Sequence, residues 1–482
     1  MAVVQRIRPA GNGQSRRHND GARALEAALK RSVGGEVRFD VASRALYATD
    51  HSVYRHVPIG VVIPRDNDDV AATVAACREA GAPILGRGCG TSLAGQCCNV
   101  AVVLDFSKYM NRILALDPDS RQARVQPGLI NDQLREAARR HGLTYAPDPA
   151  THQFCTLGGN IGNNSCGAHT VMGGKTVDNV EELEILTYDG LQMRVGETTA
   201  DQYDLIQRAG GRRAEIYAKL KALAATYGQD VRARYPDIPR RVSGYNLDDL
   251  LPEKGFHVGR SLVGSESTCA LVLSATVRLL HEPPARSLMV LSYPDVASAA
   301  DDVVEIRSYG PTALEGFQDT VVRHMQQKNK HLPGIRFLPE GGAWLLVEFG
   351  GEDQAQANAR VENAYRQLRR IGTHAFDMRL VERPHEQTEV WDVRESGVGA
   401  SRVEWTEEAW PSWEDAAVPP AKLGDYLRDF DKLTKRFGYS YTLYGHFGDG
   451  CIHTRISFDL KTEAGVRDFR RFMYQAADLC LS

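Results

Sequence analysis

The chain has 482 residues, which is too long for one compact domain and predicts two or three domains of ordinary size. Hydrophobic residues make up 43% of the sequence and charged residues 25%, a composition typical of a folded globular protein. Because the net charge is only −3, the chain has no general basic field, and nucleic acid is not an expected partner.

Neither a membrane span nor a secretory signal is expected. The sequence lacks the run of about 20 apolar residues that a transmembrane segment needs. Residues 1–20 contain arginines but no apolar core, which favours a disordered polar leader over a signal peptide. The nine cysteines show no Cys-x-x-Cys spacing, which argues against a disulfide framework and an iron–sulfur site in this stretch. We therefore expect a cytoplasmic protein, with peripheral attachment to a membrane as the alternative.

The first part of the chain predicts an α/β unit, because short β-branched runs alternate with helix signals over 61–106. Within this unit, Asn67 is expected to cap a helix and Gly81 to end it. A second helix is predicted between a cap at Asn131 and a stop at Gly142. The other elements predicted here are strands at 61–64, 83–85, 101–106 and 272–280, a strand and turn at 183–190, and a helix at 211–228.

The pattern restarts after the Pro-Pro pair within 281–285, which marks a boundary. The order that follows is β-α-β-β-α, as in ferredoxin-like sheets. Its elements are predicted strands at 287–293, 312–318 and 343–350 and predicted helices at 295–309 and 353–371. We expect a leader and helix over 1–44, a first domain over 45–283, and a second domain over 284–482 that is incomplete at its C-terminal end.

Three segments are rich in glycine or small residues. Residues 86–96 follow a predicted strand, and their glycines allow backbone N–H groups to approach a pyrophosphate, although an ordinary turn is the alternative. Residues 147–174 are so dense in glycine and asparagine that we expect neither a regular helix nor a central strand there. Residues 264–280 combine a small-residue turn with a strand, which alone indicates little.

A fourth segment, 444–455, places His446 and His453 on either side of a Gly-Asp-Gly turn. Such a turn favours a chain reversal that brings both imidazoles to one site. Two structural histidines with satisfied hydrogen bonds are the alternative interpretation.

Together and in this order, the four segments resemble the FAD-linked oxidase family related to vanillyl-alcohol oxidase, in its D-lactate, glycolate and D-2-hydroxyglutarate dehydrogenase-like branch. The resemblance covers about 45–482. It implies an α+β fold, in which a PCMH-type FAD-binding domain of two subdomains precedes a ferredoxin-like substrate domain. Relatives with covalent flavin carry a histidine near the place of Thr91, so FAD is expected to be non-covalent here. Attachment at Cys89 is the alternative, and a packed loop cysteine is favoured over it.

The resemblance also assigns residues to the cofactor. Expected at the pyrophosphate are Arg87, Gly88, Gly90, Thr91, Ser92 and Gly95. Expected around the flavin are Pro147, Thr156, Gly158, Gly159, Asn163, Asn164 and Gly167. Expected in the third segment, near the adenine, are Gly264, Glu266 and Thr268. That segment departs from the family pattern Gly-Ser-Glu-Gly-Thr-Leu-Gly at Ser267, Cys269 and Ala270.

For the chemistry, the fourth segment resembles the family motif Gly-His-x-Gly-Asp-Gly-Asn-x-His, with Cys451 at the asparagine. The resemblance implies that His446 and His453 bind a divalent metal such as zinc, or the substrate hydroxyl. Arg394 matches the arginine of a Trp-x-x-Arg segment that holds the substrate carboxylate; a surface arginine paired with Glu395 or another acid is the alternative.

Positions outside these motifs qualify the choice of substrate. Relatives that act on 2-hydroxyglutarate use further threonine and lysine contacts. Val398 and Trp413 stand at the corresponding places in this chain, which indicates a different acid.

The implied activity is a FAD-dependent dehydrogenase that oxidises a small 2-hydroxy acid, D-selective, with hydride passing to flavin N5. Since no NAD fingerprint is present, the expected acceptor is a quinone, an electron-transfer flavoprotein, a haem protein or an iron–sulfur domain. The alternatives are an oxygen-using oxidase and an FAD-binding electron-transfer subunit without catalysis of its own. Because the family's Glu-His-Gly motif is absent, we expect the chain to be part of a longer protein, with an iron–sulfur region, or a truncated product.

Overall fold

Helices and strands alternate along the whole of the computed structural model, which describes residues 12–396, 409–411 and 413–481. Within those residues the strands form three larger sheets and one two-stranded pair. The mixture of helices and antiparallel and parallel strands confirms the predicted α+β fold class. No helix in the described part of the chain is both long and apolar enough to cross a membrane.

The first sheet has the order β1-β2-β4-β3, in which β2, β3 and β4 are parallel and β1 is antiparallel. Its parallel strands are short and mostly apolar, as expected for strands covered on both faces. Its elements are α1 (Asn12–Ser32), β1 (Glu36–Arg38), α2 (Val41–Leu46), β2 (Gly60–Ile63), α3 (Asn67–Glu79), β3 (Ile84–Arg87) and β4 (Val102–Asp105).

Two local predictions in this region were wrong. Helix α1 begins inside the segment predicted as a disordered leader. Further along the helix, Leu25 and Leu29 lie one turn apart and are buried in the core beneath α1 and α3. This burial stabilises α1. The cap of α3 is Asp66 and not Asn67, because the Asp66 carboxylate accepts from the Asp69 N–H at 3.0 Å.

The second sheet is antiparallel, with the order β5-β6-β10-β8-β9, and the separate pair joins β7 to β11. Its strands are β5 (Ile113–Asp117), β6 (Gln122–Val125), β7 (Leu143–Thr144), β8 (Val180–Leu186), β9 (Gln192–Gly196), β10 (Leu271–Arg278) and β11 (Leu280–His281). Its helices are α4 (Asn131–Arg139), α5 (Leu157–Asn163), α6 (Thr170–Gly173), α7 (Ala200–Ala209), α8 (Gly211–Arg234) and α9 (Val258–Ser261).

The predicted cap of α4 was also wrong. Ile130 occupies the cap position and makes no side-chain hydrogen bond there. Asn131 instead donates from Nδ2 to the Pro147 carbonyl at 2.8 Å, so its side chain ties α4 to the start of the glycine-rich segment 147–174.

The third sheet is antiparallel, with the order β15-β12-β14-β13-β18-β19-β16, and β17 pairs with β19. Its strands are β12 (Ala285–Tyr293), β13 (Ala313–Gln318), β14 (Ala343–Gly351), β15 (Asp377–Val381), β16 (Trp410–Pro411), β17 (Ala416–Ala417), β18 (Tyr441–His446) and β19 (Cys451–Ile456). Its helices are α10 (Val296–Asp301), α11 (Val303–Ser308), α12 (Asp319–Gln327), α13 (Leu332–Ile335), α14 (Gln354–Ile371), α15 (Pro384–Glu395), α16 (Leu423–Phe437) and α17 (Glu463–Leu481).

The predicted strands are present at the start of this sheet, but the β-α-β-β-α order was wrong, because α12 and α13 lie between β13 and β14. The helix expected over 295–309 is broken into α10 and α11. The break falls at Asp302, whose carboxylate accepts from the Tyr293 hydroxyl at 3.1 Å and from the His374 backbone at 3.1 Å. The expected boundary near residue 283 lies between β11 and β12, and the division into domains stays a proposal.

Candidate active site

The three glycine-rich segments line one open cleft of about 690 Å³. The first wall is the end of β3 and the loop after it, the second is α5, and the third is the turn before β10. Segments that are far apart in the sequence are thus brought together. Of the residues assigned to the cofactor, those that line the cleft are Arg87, Gly88, Thr156, Gly158, Gly159, Asn163 and Glu266.

Glycine is required where these walls touch. A Cβ on Gly88 would be 2.2 Å from Thr156 Oγ1, and one on Gly158 would be 2.7 Å from Pro127 Cβ. Main-chain bonds then join the second wall to the third, from Gly264 N to the Ile161 carbonyl at 2.8 Å and from Glu266 N to the Gly162 carbonyl at 3.0 Å. Glycines therefore stand where the walls meet, and where they line the cleft they let a bulky anionic ligand approach amide groups closely.

The prediction that 147–174 contains no regular helix was wrong, because α5 and α6 lie within it. The Thr156 hydroxyl caps α5 by accepting from the Gly159 N–H at 3.3 Å, and Leu157 and Ile161 are buried. A side-chain cap and two buried apolar residues offset the low helix propensity of three glycines. Asn164 ends the helix in the left-handed region, with φ of 50°.

The departure of the third segment from the family pattern has a backbone consequence. Ser267 has φ of 62° and Glu266 has φ of 52°, a region that favours glycine. Ser267 stands where the resemblance has a glycine, so this chain adopts the glycine conformation with a residue that disfavours it. The strain of a left-handed residue is roughly 1–2 kcal/mol.

The remaining assigned residues lie in the same loops but not in the cleft wall: Gly90, Thr91, Ser92, Gly95, Pro147, Asn164, Gly167, Gly264 and Thr268. Arg87, which lines the cleft, also supports the loop that follows β3. Its guanidinium donates to the carbonyls of Thr49 and Cys97, both at 2.8 Å, and thereby holds the first loop in shape. The assignment of all these residues to FAD stays a prediction.

The cleft fits a dinucleotide cofactor in its chemistry. Asn163 lines it, and its buried Oδ1 has no hydrogen-bond partner among the described residues. A buried polar atom without a partner is costly unless a ligand or water satisfies it. An amide oxygen in this position suits a polar ring edge of the flavin.

The histidine segment forms a hairpin, as predicted: β18 and β19 pair in antiparallel register around a turn at Phe447–Asp449. The imidazole centroids of His446 and His453 are 5.0 Å apart. Each ring is held by a carboxylate at Nδ1, His446 by Glu315 at 2.8 Å and His453 by Glu414 at 2.9 Å. This pairing leaves each Nε2 for another partner, the pattern typical of ligand or proton-transfer histidines.

Arg394 is buried on α15 and only 3% exposed, so the surface position in the alternative interpretation was wrong, although this arginine does pair with an acid. Its Nη2 lies 2.5 Å from Oε2 of Glu315, and its guanidinium lies over the Tyr444 ring at 4.9 Å from the centroid. Glu315 on β13 therefore joins two of the residues that the sequence singled out, His446 and Arg394. Sequence reasoning missed Glu315, because nothing in the TALEGFQ strand distinguishes it from an ordinary strand residue.

Burial dominates the ionisation of this cluster. It raises the pKa of Glu315 to about 7, even though the Arg394 guanidinium acts in the opposite direction. Burial and the neighbouring cations, Arg240 among them, lower the pKa of His446 well below its ordinary value. His446 is therefore neutral near pH 7, and Glu315 is close to its midpoint.

A second buried charge network, which no sequence motif indicated, connects the glycine-rich segment to the third sheet. The ring of His169 bonds at Nδ1 to Asp148 and at Nε2 to Glu348, the latter at 3.1 Å. Arg286 Nη1 lies 3.4 Å from the same Glu348 carboxylate. Burial acts to lower the pKa of His169, but the two carboxylates outweigh it and raise that pKa to about 9.

The expected metal is not supported by a complete ligand set. The described residues contain no group of three or more His, Cys, Asp or Glu side chains that could hold a metal. His446 and His453 together supply two nitrogens, fewer than the three protein ligands typical of catalytic zinc sites.

Of the two positions that bear on the identity of the substrate, Val398 and Trp413, the structure describes one. Val398 lies outside the described residues. Trp413 donates from Nε1 to the Tyr426 hydroxyl at 3.0 Å, so its indole nitrogen is already engaged within the fold.

Two domain families match the chain, in the order that the structure shows. Residues 58–196 match the FAD binding domain family, and residues 282–482 match the C-terminal domain of FAD linked oxidases. The first match contains the glycine-rich loops up to β9, and the second contains the third sheet with the histidine hairpin.

Characterised relatives agree with these matches. The chain is 31% identical over 452 residues to D-2-hydroxyglutarate dehydrogenase of Pseudomonas putida, a match that covers 91% of this chain and 44% of that protein. It is 28% identical over 419 residues to D-lactate dehydrogenase of Archaeoglobus fulgidus, covering 86% of this chain and 79% of the relative. This chain thus spans less than half the length of the D-2-hydroxyglutarate dehydrogenases that it matches.

Among solved structures, p-cresol methylhydroxylase with substrate bound has a similar fold, with a TM-score of 0.64 and 14% identity. The alignment covers 98% of this chain and 88% of that structure. At this identity the likeness concerns the fold alone.

Proposed function

Because this chain belongs to the PCMH-type FAD-linked oxidase family, we propose that it oxidises a small D-2-hydroxy acid to the 2-oxo acid, using FAD bound in the glycine-rich cleft. One observation carries the proposal: Glu315 joins Arg394 and His446 in one buried cluster. Such a cluster offers a cation for a carboxylate beside an imidazole for a hydroxyl proton. The names of the relatives, which include D-2-hydroxyglutarate and D-lactate dehydrogenases, support a hydroxy acid as substrate.

The cofactor would be held by the backbone-lined walls of the cleft, with Gly88 and Gly158 leaving room and Asn163 supplying a free amide oxygen. When bound, FAD accepts the hydride that leaves the substrate Cα. The chain's own residues supply binding, orientation and proton handling.

Arg394 would bind the substrate carboxylate through its two-pronged guanidinium. In this structure Glu315 occupies that guanidinium at Nη2, so the substrate must replace it. The pKa of Glu315 near 7 makes this exchange accessible, because a proton on Glu315 removes its charge and releases Arg394.

His446 would accept the hydroxyl proton at Nε2. Its lowered pKa keeps the ring neutral and able to accept, and the Glu315 contact at Nδ1 fixes the ring orientation. His453 lies 5.0 Å away between ring centroids and would orient the same hydroxyl group. A divalent metal is not required by these roles.

Electrons would leave the cleft for a non-NAD acceptor: a quinone, an electron-transfer flavoprotein, a haem protein or an iron–sulfur domain. The choice among them belongs to the proposal, since the matched D-2-hydroxyglutarate dehydrogenases extend well beyond this chain. The extent of the first and second domains, 45–283 and 284–482, is proposed with it.

Anaerobic reduction of the bound flavin tests the proposal. Protein loaded with FAD is mixed with D- and L-lactate, glycolate, and D- and L-2-hydroxyglutarate, with and without a chelator, and the flavin absorbance is followed. We expect bleaching by at least one D-acid, and at least a 100-fold slower bleaching in an Arg394→Gln variant that retains FAD. Bleaching by none of the acids in the wild-type protein would contradict the proposal.

An FAD-binding electron-transfer subunit is the second candidate, because Glu315 already neutralises Arg394 in this structure. This candidate predicts a yellow protein that no hydroxy acid bleaches but that exchanges electrons with a redox dye. Formation of hydrogen peroxide in air, with a hydroxy acid as the only reductant, would instead indicate an oxygen-using oxidase.

A further inference from the structure

Arg240 is a buried cation that lies outside the motifs and has no assigned contact in the proposed chemistry, although its charge contributes to the lowered pKa of His446. It lies in the segment between α8 and α9, about 200 residues before the histidine hairpin in the sequence, and is 4% exposed. A buried guanidinium is retained only where its partners compensate its charge. The identity of those partners therefore indicates its role.

The partners of Arg240 come from two different parts of the molecule. On one side, Nη1 donates to Thr170 Oγ1 at 3.0 Å and to the Gly167 carbonyl at 3.3 Å, both in the glycine-rich segment 147–174. On the other side, the same Nη1 donates to Asp449 Oδ2 at 3.2 Å, in the turn between His446 and His453. Nε lies 3.8 Å from Asp415 Oδ1, next to β17, the strand that pairs with β19.

The turn and the glycine-rich segment also pack directly against each other. A Cβ on Gly448 would be 2.6 Å from Val171 Cγ2 on α6, so the turn approaches α6 as closely as a glycine permits. The close approach fixes the spacing of the two elements, and the shared guanidinium fixes their lateral position. Together they fix the position of the turn relative to α6.

We propose that Arg240 is a positioning residue that clamps the histidine hairpin to the glycine-rich segment and so sets the imidazoles against the flavin. The inference rests on the proposed function, in which those imidazoles take the hydroxyl proton of the substrate. Arg240 contacts neither predicted catalytic histidine directly; it acts through Asp449.

The test compares Arg240→Gln and Arg240→Lys with a matched control, Arg241→Gln. Arg241 is the next residue but pairs with Asp248 at 2.7 Å and makes no contact with the hairpin. FAD content, hydrogen exchange of peptides covering 167–173 and 444–455, and the rate of flavin reduction by the most active hydroxy acid are measured for each.

We expect Arg240→Gln to retain FAD, to exchange about tenfold faster in both peptides, and to be reduced by the acid about 100-fold more slowly, while dithionite reduces it at the wild-type rate. Arg240→Lys should recover part of each change, and Arg241→Gln should match the wild type. Wild-type exchange in both peptides of a folded Arg240→Gln variant would overturn the clamp. If no acid reduces the wild-type protein, the proposed function fails, but the exchange measurement still decides the clamp.

Should Arg240→Gln fail to fold, Asp449→Asn removes the other end of the contact and is read in the same way. Where both fold, the double variant should exchange no faster than the faster single variant, because both changes break one interaction. Multiplicative effects of the two substitutions would also overturn the proposal.

Discussion

The cofactor cleft and the histidine hairpin are built by opposite means. In the cleft, glycines stand where the walls meet, and the second and third walls join through backbone atoms such as Gly264 N and the Ile161 carbonyl. The hairpin region is dense in charged side chains, which satisfy one another in buried pairs such as Glu315 with Arg394. The cleft depends on the absence of side-chain atoms at its glycines. The hairpin region depends on the balance of charge between its buried side chains. The two should therefore respond differently to substitution.

The largest effect is expected in the cleft. Gly88→Ala places a Cβ 2.2 Å from Thr156 Oγ1, and other Thr156 side-chain atoms lie at 3.0 and 3.1 Å, so rotation of Thr156 does not relieve the contact. We expect FAD affinity to fall about 100-fold or more, measured by fluorescence titration of the apoprotein.

Gly34→Ala is the matched control for this change, because its Cβ would meet only ordinary contacts, the nearest at 3.5 Å. Its FAD affinity should equal that of the wild type. Tight FAD binding by Gly88→Ala would show that the contact between the two walls is not required.

The next effect concerns the charge network of His169, which lies in the glycine-rich segment but resembles the hairpin in its chemistry. The pKa of His169 is raised from an ordinary 6.5 to about 9. The stability that its protonated ring contributes to the fold is therefore complete below pH 6.5 and is lost as the pH rises through 9. The stability advantage of the wild type over His169→Gln should shrink by up to about 3 kcal/mol between pH 6.5 and 9.5.

Denaturant unfolding of both proteins at several pH values measures this difference. A constant difference between wild type and variant across the range would show that His169 does not titrate in its network.

A smaller effect is expected when the charge that links the two predicted catalytic residues is removed. Glu315→Gln keeps the side-chain shape, but it no longer balances the charge of Arg394, and its neutral amide oxygen accepts from His446 more weakly than the carboxylate does. We expect flavin reduction by a hydroxy acid to slow about tenfold at saturating acid, because ring orientation is loosened. The concentration of acid that gives the half-maximal rate should fall, because Glu315 no longer occupies the Arg394 guanidinium.

Glu184→Gln is the matched control, because it also removes a strand glutamate beside an arginine, Arg124. It should change neither the rate of flavin reduction nor the concentration of acid that gives the half-maximal rate. Equal rates for Glu315→Gln and the wild type would remove Glu315 from the proposed chemistry.

The smallest effect returns to the backbone of the cleft. Ser267 has φ of 62°, so Ser267→Gly relieves left-handed strain but adds flexibility to the unfolded chain. The two terms leave a net gain of about 0.5 kcal/mol in the free energy of unfolding. A loss of stability, measured by denaturant unfolding, would show that the Ser267 side chain contributes more than its backbone strain.

The same contrast explains which features the sequence could reveal. The cleft depends on local signals: glycines that permit close approach and a turn before β10, all visible in short segments. The strands that were predicted in the two main domains followed from hydrophobic patterning in the same way, whereas the α+β class was implied by the family resemblance. Even there, helix propensity alone led to a wrong prediction for α5, because the Thr156 side chain caps this helix and offsets the low propensity of its glycines.

The charge pairs depend on chain reversals that no short segment encodes. Glu315 lies 131 residues before His446, and Arg240 lies 209 residues before Asp449. Hydrogen-bonded partners at such separations are known only once the topology of the third sheet is fixed. The histidines and Arg394 were found through motifs, while the carboxylates that hold them were not.

The bonds from Gly264 and Glu266 to the end of α5 join main-chain atoms of the protein itself, so they need no group that a ligand would supply. The loss of loop freedom is thus already incurred when the chain folds, and association with FAD needs little further ordering of these walls. Walls that are ordered in this way favour rapid rebinding of the cofactor after it has been removed from the protein.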